Sequence, residues 1–148
     1  MSKPIFFLSL VLLLIALSAS CSPALLGGPT PTPDPCSPGE IEQYLDAIRD
    51  VSRRFDDALT LANSTPRMSL PPAIADLQTI RREAEDLEVP VCAVSAKNAL
   101  VTYMNATIDG FIAFLSDEPD TKVNAAFKKA NELSKDYLEA MLKLGESQ

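Results

Sequence analysis

Four stretches of the chain place apolar residues three and four positions apart, the spacing that gathers them on one side of an α-helix. The first carries Ile41, Tyr44, Leu45, Ile48, Val51, Phe55, Leu59 and Ala62. It opens on Ser37-Pro38-Gly39-Glu40. Ser37 is placed to cap, Pro38 suits the first helical position, and Glu40 can return a capping-box bond. Asn63-Ser64-Thr65-Pro66 should end it after about 25 residues. The second starts near Pro71-Pro72, carries Ile74, Leu77, Ile80, Ala84 and Leu87, and should stop at Pro90.

The third stretch, from about Val91 to Leu115, is apolar on most sides. Cys92, Ala96, Ala99, Leu100, Tyr103, Met104, Ile108, Phe111, Ile112 and Leu115 leave a polar strip at Asn98, Thr102, Asn105 and Asp109. It should be the most buried helix, and Gly110 within it points to a close helix crossing, since glycine there costs about 1 kcal/mol against alanine. Ser116-Asp117-Glu118-Pro119-Asp120 reads as a turn. The fourth stretch carries Val123, Phe127, Ala130, Leu133, Tyr137, Leu138, Met141 and Leu144, with Gly145 placed to close it. Strand-like alternation is absent. The expected fold of residues 38–148 is therefore all-α, an antiparallel up-down-up-down four-helix bundle.

The N-terminus follows another pattern. Lys3 precedes thirteen residues, Ile5 to Leu17, that are nearly all apolar. That run is short for a membrane-spanning helix, which needs about 20, and suits the core of an export signal. Leu17-Ser18-Ala19-Ser20-Cys21 follows. In this segment the chain resembles bacterial lipoproteins, whose lipobox ends in small residues and a cysteine; Ser18 stands where the family most often has leucine. The resemblance covers about 21 residues. It implies cleavage before Cys21, a diacylglyceryl group on the Cys21 sulfur, and commonly an acyl group on the new amino terminus. Two or three acyl chains hold a protein stably where one is marginal. An ordinary secretory signal cut after Ala19 or Ser20, or an uncleaved anchor, is the alternative. Ser22 rather than an aspartate follows the cysteine, which in a two-membrane bacterium favours the outer membrane; otherwise the outer face of the cytoplasmic membrane is expected.

Residues 21–37 then read as a lipidated cysteine and linker. Ser22 to Pro35 holds five prolines and two glycines in 14 residues, a composition that resists helix and sheet. Its Pro-Thr repeats favour polyproline II and a reach of about 40 Å when extended. With Cys21 assigned to lipid, Cys36 and Cys92 remain, and in an exported protein they read as a disulfide bracing the bundle. Each precedes a helix that starts at the same end of such a bundle. The loops at residues 65–70 and 116–120 would then point away from the membrane and be the first place to seek a partner.

Charge and composition narrow the chemistry. The 148 residues carry a net charge of −7, and removal of residues 1–20 takes away Lys3 and no acid, leaving −8. That argues against nucleic acid as a partner, because phosphate recognition needs clustered cations. There is no histidine, which removes Ser-His-Asp and Cys-His nucleophiles, zinc sites of the His-Glu-x-x-His kind and histidine-ligated haem. Glu83, Glu85, Asp86 and Glu88 read as a solvated helix face. Tyr44, Tyr103, Tyr137, Phe55, Phe111, Phe114 and Phe127 read as core before cavity, and Met68, Met104 and Met141 as packing. No catalytic, cofactor or metal residue is expected. An enzyme would need Arg81 or Arg82 facing Asp109 or Glu83. The globular part is similar in pattern to uncharacterised small helical lipoproteins with a Pro/Thr linker, without a diagnostic motif. The function expected is a membrane-anchored, non-catalytic binding or accessory module of the cell envelope with a protein partner there; the alternative is a bundle that binds a small apolar ligand.

Overall fold

The computed structural model describes residues 32–146. The segments read from sequence as an export signal (residues 1–20), a lipidated Cys21 and the linker up to residue 31 lie outside the described residues. Among those described there are four α-helices and no strand. They are α1 (Pro38–Ser64), α2 (Leu70–Asp86), α3 (Val94–Leu115) and α4 (Asp120–Glu146), with single 3-10 turns at Arg67–Ser69 and Val91–Ala93. None of these helices is long and apolar enough to cross a membrane.

The apolar stripes build one core. Ile41, Leu45, Ile48, Val51, Phe55 and Ala62 of α1 are buried, with Leu70, Ala73, Ile74, Leu77 and Ala84 of α2. From α3 come Ala96, Leu100, Met104, Ile108 and Phe111, and from α4 Val123, Ala130, Tyr137 and Leu144. The buried residues of α4 recur every seven positions, so its covered stripe is narrow. Leu138, expected in that stripe, is 58% exposed. The polar strip of α3 is exposed throughout, and α3 contributes more buried residues than any other helix.

Several helix ends depart from expectation. Pro38 does open α1 after Ser37, but the Ser37 side chain makes no capping bond. The turn closes through its carbonyl, which accepts from Glu40 N at 3.0 Å and Ile41 N at 3.0 Å. Meanwhile Gln43 Nε2 donates to the Glu40 side chain at 3.4 Å. α2 ends at Asp86, four residues before Pro90, because Leu87 is extended with ψ at 121°. Its freed carbonyls are taken by Lys97 Nζ, which donates to Glu85 O and Leu87 O at 3.1 Å each. The segment expected to begin α3 forms the Val91–Ala93 3-10 turn instead. α4 runs through Gly145, which does not close it.

Two cross-links tie the first pair of helices to the second. The Cys36–Cys92 disulfide joins the residue before α1 to the turn before α3, with Cα atoms 6.1 Å apart. Arg67, in the α1–α2 connection, reaches the α3–α4 connection: Nη1 donates to Asp117 Oδ1 at 2.7 Å and Nη2 to Leu115 O at 3.2 Å. Its guanidinium also lies over the Phe114 ring, 5.5 Å from the centroid. Asp117 holds φ at +59°, and Glu118 N donates back to Ala113 O at 3.1 Å, closing α3 as a left-handed cap. The closest backbone packing is α3 on α4, followed by α2 on α1 and on α3; α1 and α4 approach each other only marginally.

Candidate functional site

Where α1 and α4 stay apart, side chains fill the seam. Helix geometry puts Ser52, Asp56, Leu59 and Asn63 of α1 on the side facing α4, and Phe127, Asn131 and Ser134 of α4 on the side facing α1. The structure brings these together. Leu59, Asn63, Tyr103, Thr107, Phe127, Ala130, Asn131 and Ser134 line a depression of about 190 Å³. A second, of about 220 Å³, is lined by Ala62, Asn63, Thr65, Leu70, Phe111, Phe114 and Phe127. Asn63 and Phe127 belong to both, so the two form one groove along the seam toward the α1–α2 connection.

The floor of this groove explains Gly110. A Cβ on Gly110 would stand 2.8 Å from Phe127 Cε1 and 2.9 Å from Cδ1. The glycine therefore admits the Phe127 ring, which meets Phe111 edge-on at 5.2 Å between centroids. Below it, Tyr103 packs edge-on against Phe55 at 5.7 Å. The Tyr103 hydroxyl donates to Asp56 Oδ1 at 3.5 Å, a long bond. Burial, followed by the neighbouring Asp56 charge, pushes the Tyr103 phenol up to about 12. Partial burial raises the Asp56 carboxyl above its ordinary value, against the Tyr103 bond, which lowers it, and with the Asp57 charge, which raises it. Burial also raises Tyr137, which bonds to Ser52 across the seam. Both phenols are protonated and neutral at physiological pH, so they give the seam polar groups without charge.

Elsewhere the residues singled out from sequence stay apart. Glu83, Glu85, Asp86 and Glu88 are exposed. Glu83 pairs with Arg54 of α1 at 2.6 Å, and Glu85 with Arg81. Arg82 donates to Thr79 Oγ1 at 2.9 Å. Arg81 and Arg82 thus bond within α2, and neither pairs with Asp109 or Glu83 among the described residues. No group of three or more His, Cys, Asp or Glu side chains among the described residues could hold a metal ion. Of the aromatic set, Phe55, Phe111 and Tyr137 are core, Tyr44, Tyr103 and Phe127 are half-buried, and Phe114 is exposed. Met104 is buried, whereas Met68 stands 92% exposed at the α1–α2 connection.

A wider groove of about 460 Å³ lies between α3 and α4 beside the disulfide, lined mainly by small side chains such as Ser95, Ala96, Ala99 and Ala140. Its charged edge is spanned by the Lys143–Glu139 ion pair at 2.8 Å. The α1–α4 seam was missed in sequence because its opening depends on the distance between two helices distant in the chain. The signal that existed was Gly110 opposite a run of large aromatics. No protein-family model, curated protein or solved structure matches the chain.

Proposed function

We propose that the protein is a bacterial lipoprotein, held at a membrane surface by lipid on Cys21, whose helical domain binds another protein of the cell envelope. The anchor rests on the apolar run Ile5–Leu17 and the small residues that lead into Cys21. The binding role rests on the open α1–α4 seam, where aromatic side chains and uncommitted polar groups reach the surface between two helices. An up-down-up-down arrangement goes with this reading. It is supported by the two cross-links, which pair the starts of α1 and α3 at one end and the two connections at the other. The disulfide end is then the tethered end, and the connections at residues 65–69 and 116–119 lie farthest from the bilayer. The mature chain, at −8, is held by lipid rather than by surface charge.

The anchor is tested by Cys21→Ser, expected to leave the precursor uncleaved and to block lipid labelling; a variant still processed and labelled sinks that part. The binding role is tested by photo-crosslinkers placed at Asn131, Leu138 and Met68 in living cells. A discrete adduct to one envelope protein is expected. Absence of any adduct from all three positions, with the protein folded and anchored, overturns it. The small-ligand reading has one observation in its favour, the Phe127 floor of the groove. It predicts a thermal shift with an apolar compound that Phe127→Ala abolishes.

A further inference from the structure

We propose that the Pro-Thr run between Cys21 and Cys36 keeps these two thiols from pairing during export, so that Cys21 meets lipid transfer as a free thiol and Cys36 is kept for Cys92. This rests on the reading of Cys21 as the lipidation site and gives the linker a task besides spacing.

The chain holds three cysteines, and two of them, Cys36 and Cys92, share one bridge. Lipid on Cys21 needs its sulfur free. A disulfide between Cys21 and Cys36 would block the lipid and the native bridge with one bond. Pairing runs by thiol–disulfide exchange. A thiolate of the chain attacks the disulfide of an envelope oxidoreductase, and a second thiolate of the chain then displaces that enzyme. The new disulfide forms, and the oxidoreductase leaves as a dithiol with the two electrons and the two protons. The chain thiol nearest at the second step decides the product.

Order and distance both favour the wrong partner. An exported chain emerges from its N-terminal side first, so Cys36 arrives 56 positions ahead of Cys92. Over that interval Cys21 is the one other cysteine of the chain beside it. The disadvantage persists once the whole chain is across. Cys21 and Cys36 are 15 positions apart, against 56 for the native pair. A uniformly flexible chain would close the shorter loop about sevenfold more readily.

The prolines oppose this. Pro29, Pro31, Pro33 and Pro35 alternate through the half of the linker next to Cys36. A run of this composition favours polyproline II and holds its ends about 20 Å apart. The other half, Ser22 to Gly28, has a root-mean-square reach of about 15 Å and must extend almost fully, back along the first half, to return Cys21 to Cys36. In Gaussian-chain terms that lowers closure about fivefold, which offsets most of the advantage of the shorter loop. Helix formation, which sets the Cα atoms of Cys36 and Cys92 6.1 Å apart, then selects the native pair. The fold does not require these prolines. Pro33 and Pro35 are exposed, and Pro38 is the proline that opens α1. The turn before α1 is held by Asp34, whose backbone oxygen accepts from Ser37 N at 2.9 Å and whose Oδ1 accepts from Cys36 N at 2.9 Å.

The test follows the full precursor in a bacterium with an oxidising envelope, with Pro29→Ser, Pro31→Ser, Pro33→Ser and Pro35→Ser combined. Two readouts are taken: labelled fatty acid on Cys21, and peptide mapping under non-reducing conditions after free thiols are alkylated. The wild type should carry lipid on Cys21 and the Cys36–Cys92 bridge. The serine linker should raise the Cys21–Cys36 cross-link about fivefold, with unlipidated precursor rising in step. Adding Cys36→Ser and Cys92→Ser to the serine linker should return lipid labelling to the wild-type level, because no thiol of the chain then competes for Cys21. A serine linker that pairs and labels like the wild type overturns the proposal and leaves the prolines to spacing alone, with the anchor reading intact. A labelling loss that persists without Cys36 and Cys92 overturns it as well, and would place the linker in recognition by the processing machinery. A wild-type chain without lipid on Cys21 removes the anchor reading and this proposal together.

Discussion

Asp56 and Gly110 show how much of the seam is decided by single side chains. Asp56 sits against Tyr103 of α3 and near Tyr137 of α4, with Asp57 beside it on α1. Its raised carboxyl means the folded state holds the proton more tightly than the unfolded chain. The stability this contributes is full below the ordinary carboxylate pKa of about 4 and is lost as pH rises through the folded value. At neutral pH the ionised group is a cost. Asp56→Asn, which keeps an acceptor for the Tyr103 hydroxyl, should raise the urea midpoint at pH 7, and the gain should shrink toward zero below about pH 4. A variant less stable at pH 7 would mean that the Tyr103 bond to the charged form outweighs burial. Gly110 poses a packing question. Alanine would gain about 1 kcal/mol of helix propensity, but its Cβ would fall within 3 Å of the Phe127 ring. That ring is held edge-on by Phe111 and cannot swing without giving up the contact. Gly110→Ala should therefore destabilise the protein by about 1 kcal/mol. In a Phe127→Leu background the same change should be neutral or stabilising, and the double-mutant cycle measures the difference.

Among the elements, the α1–α2 connection does more than join two helices. Arg67 supplies the left-handed end of α3 with a donor for Leu115 O, a partner for Asp117 and a cation over Phe114. Asp117 is 85% exposed, so the ion pair is screened and the carbonyl bond and ring contact contribute more. Arg67→Ala should cost about 1 kcal/mol and raise amide exchange at Ser116 to Glu118. Lysine should restore less than half, because it lacks the planar fork that serves two acceptors at once. Full restoration by lysine would show that charge alone matters. Elements of this kind mark the limit of what the sequence makes legible. The apolar stripes identify all four helices, because period and burial coincide at residues such as Ile41, Ile48, Phe55 and Ala62. Pro38 likewise identifies the start of α1. The end of α2 is not legible, since its carbonyls are satisfied by Lys97, ten and more residues away. Gly145 misleads because glycine is permitted, not required, to end a helix. Leu138 misleads for a related reason: spacing alone cannot tell a wide buried stripe from the narrow heptad one that α4 uses.

For the whole molecule, the disulfide and Arg67 act as opposite staples on a structure whose first and last helices barely meet. The bridge spans 56 positions of sequence, and closing a loop of that size in the unfolded chain is worth about 4 kcal/mol in the chain-entropy account. If that were its whole effect, Cys36→Ala with Cys92→Ala would lower the protection of every core amide equally, by raising the global unfolding equilibrium. The packing argues for an added local effect. α1 is closely packed on α2 and only marginally on α4, and its first turns have Cys36 as their covalent tie to the start of α3. We expect the double variant to lose about 2–4 kcal/mol of unfolding free energy. Hydrogen exchange should also show a larger loss for the first turns of α1, around Ile41 and Leu45, than for the middle of α3, around Leu100 and Met104. A uniform loss would place the whole contribution of the bridge in the unfolded chain. A graded loss would show that the bridge also keeps α1 in register with α3 and so sets the width of the seam. In that case reduction of the disulfide should weaken whatever the seam binds more than it weakens the fold.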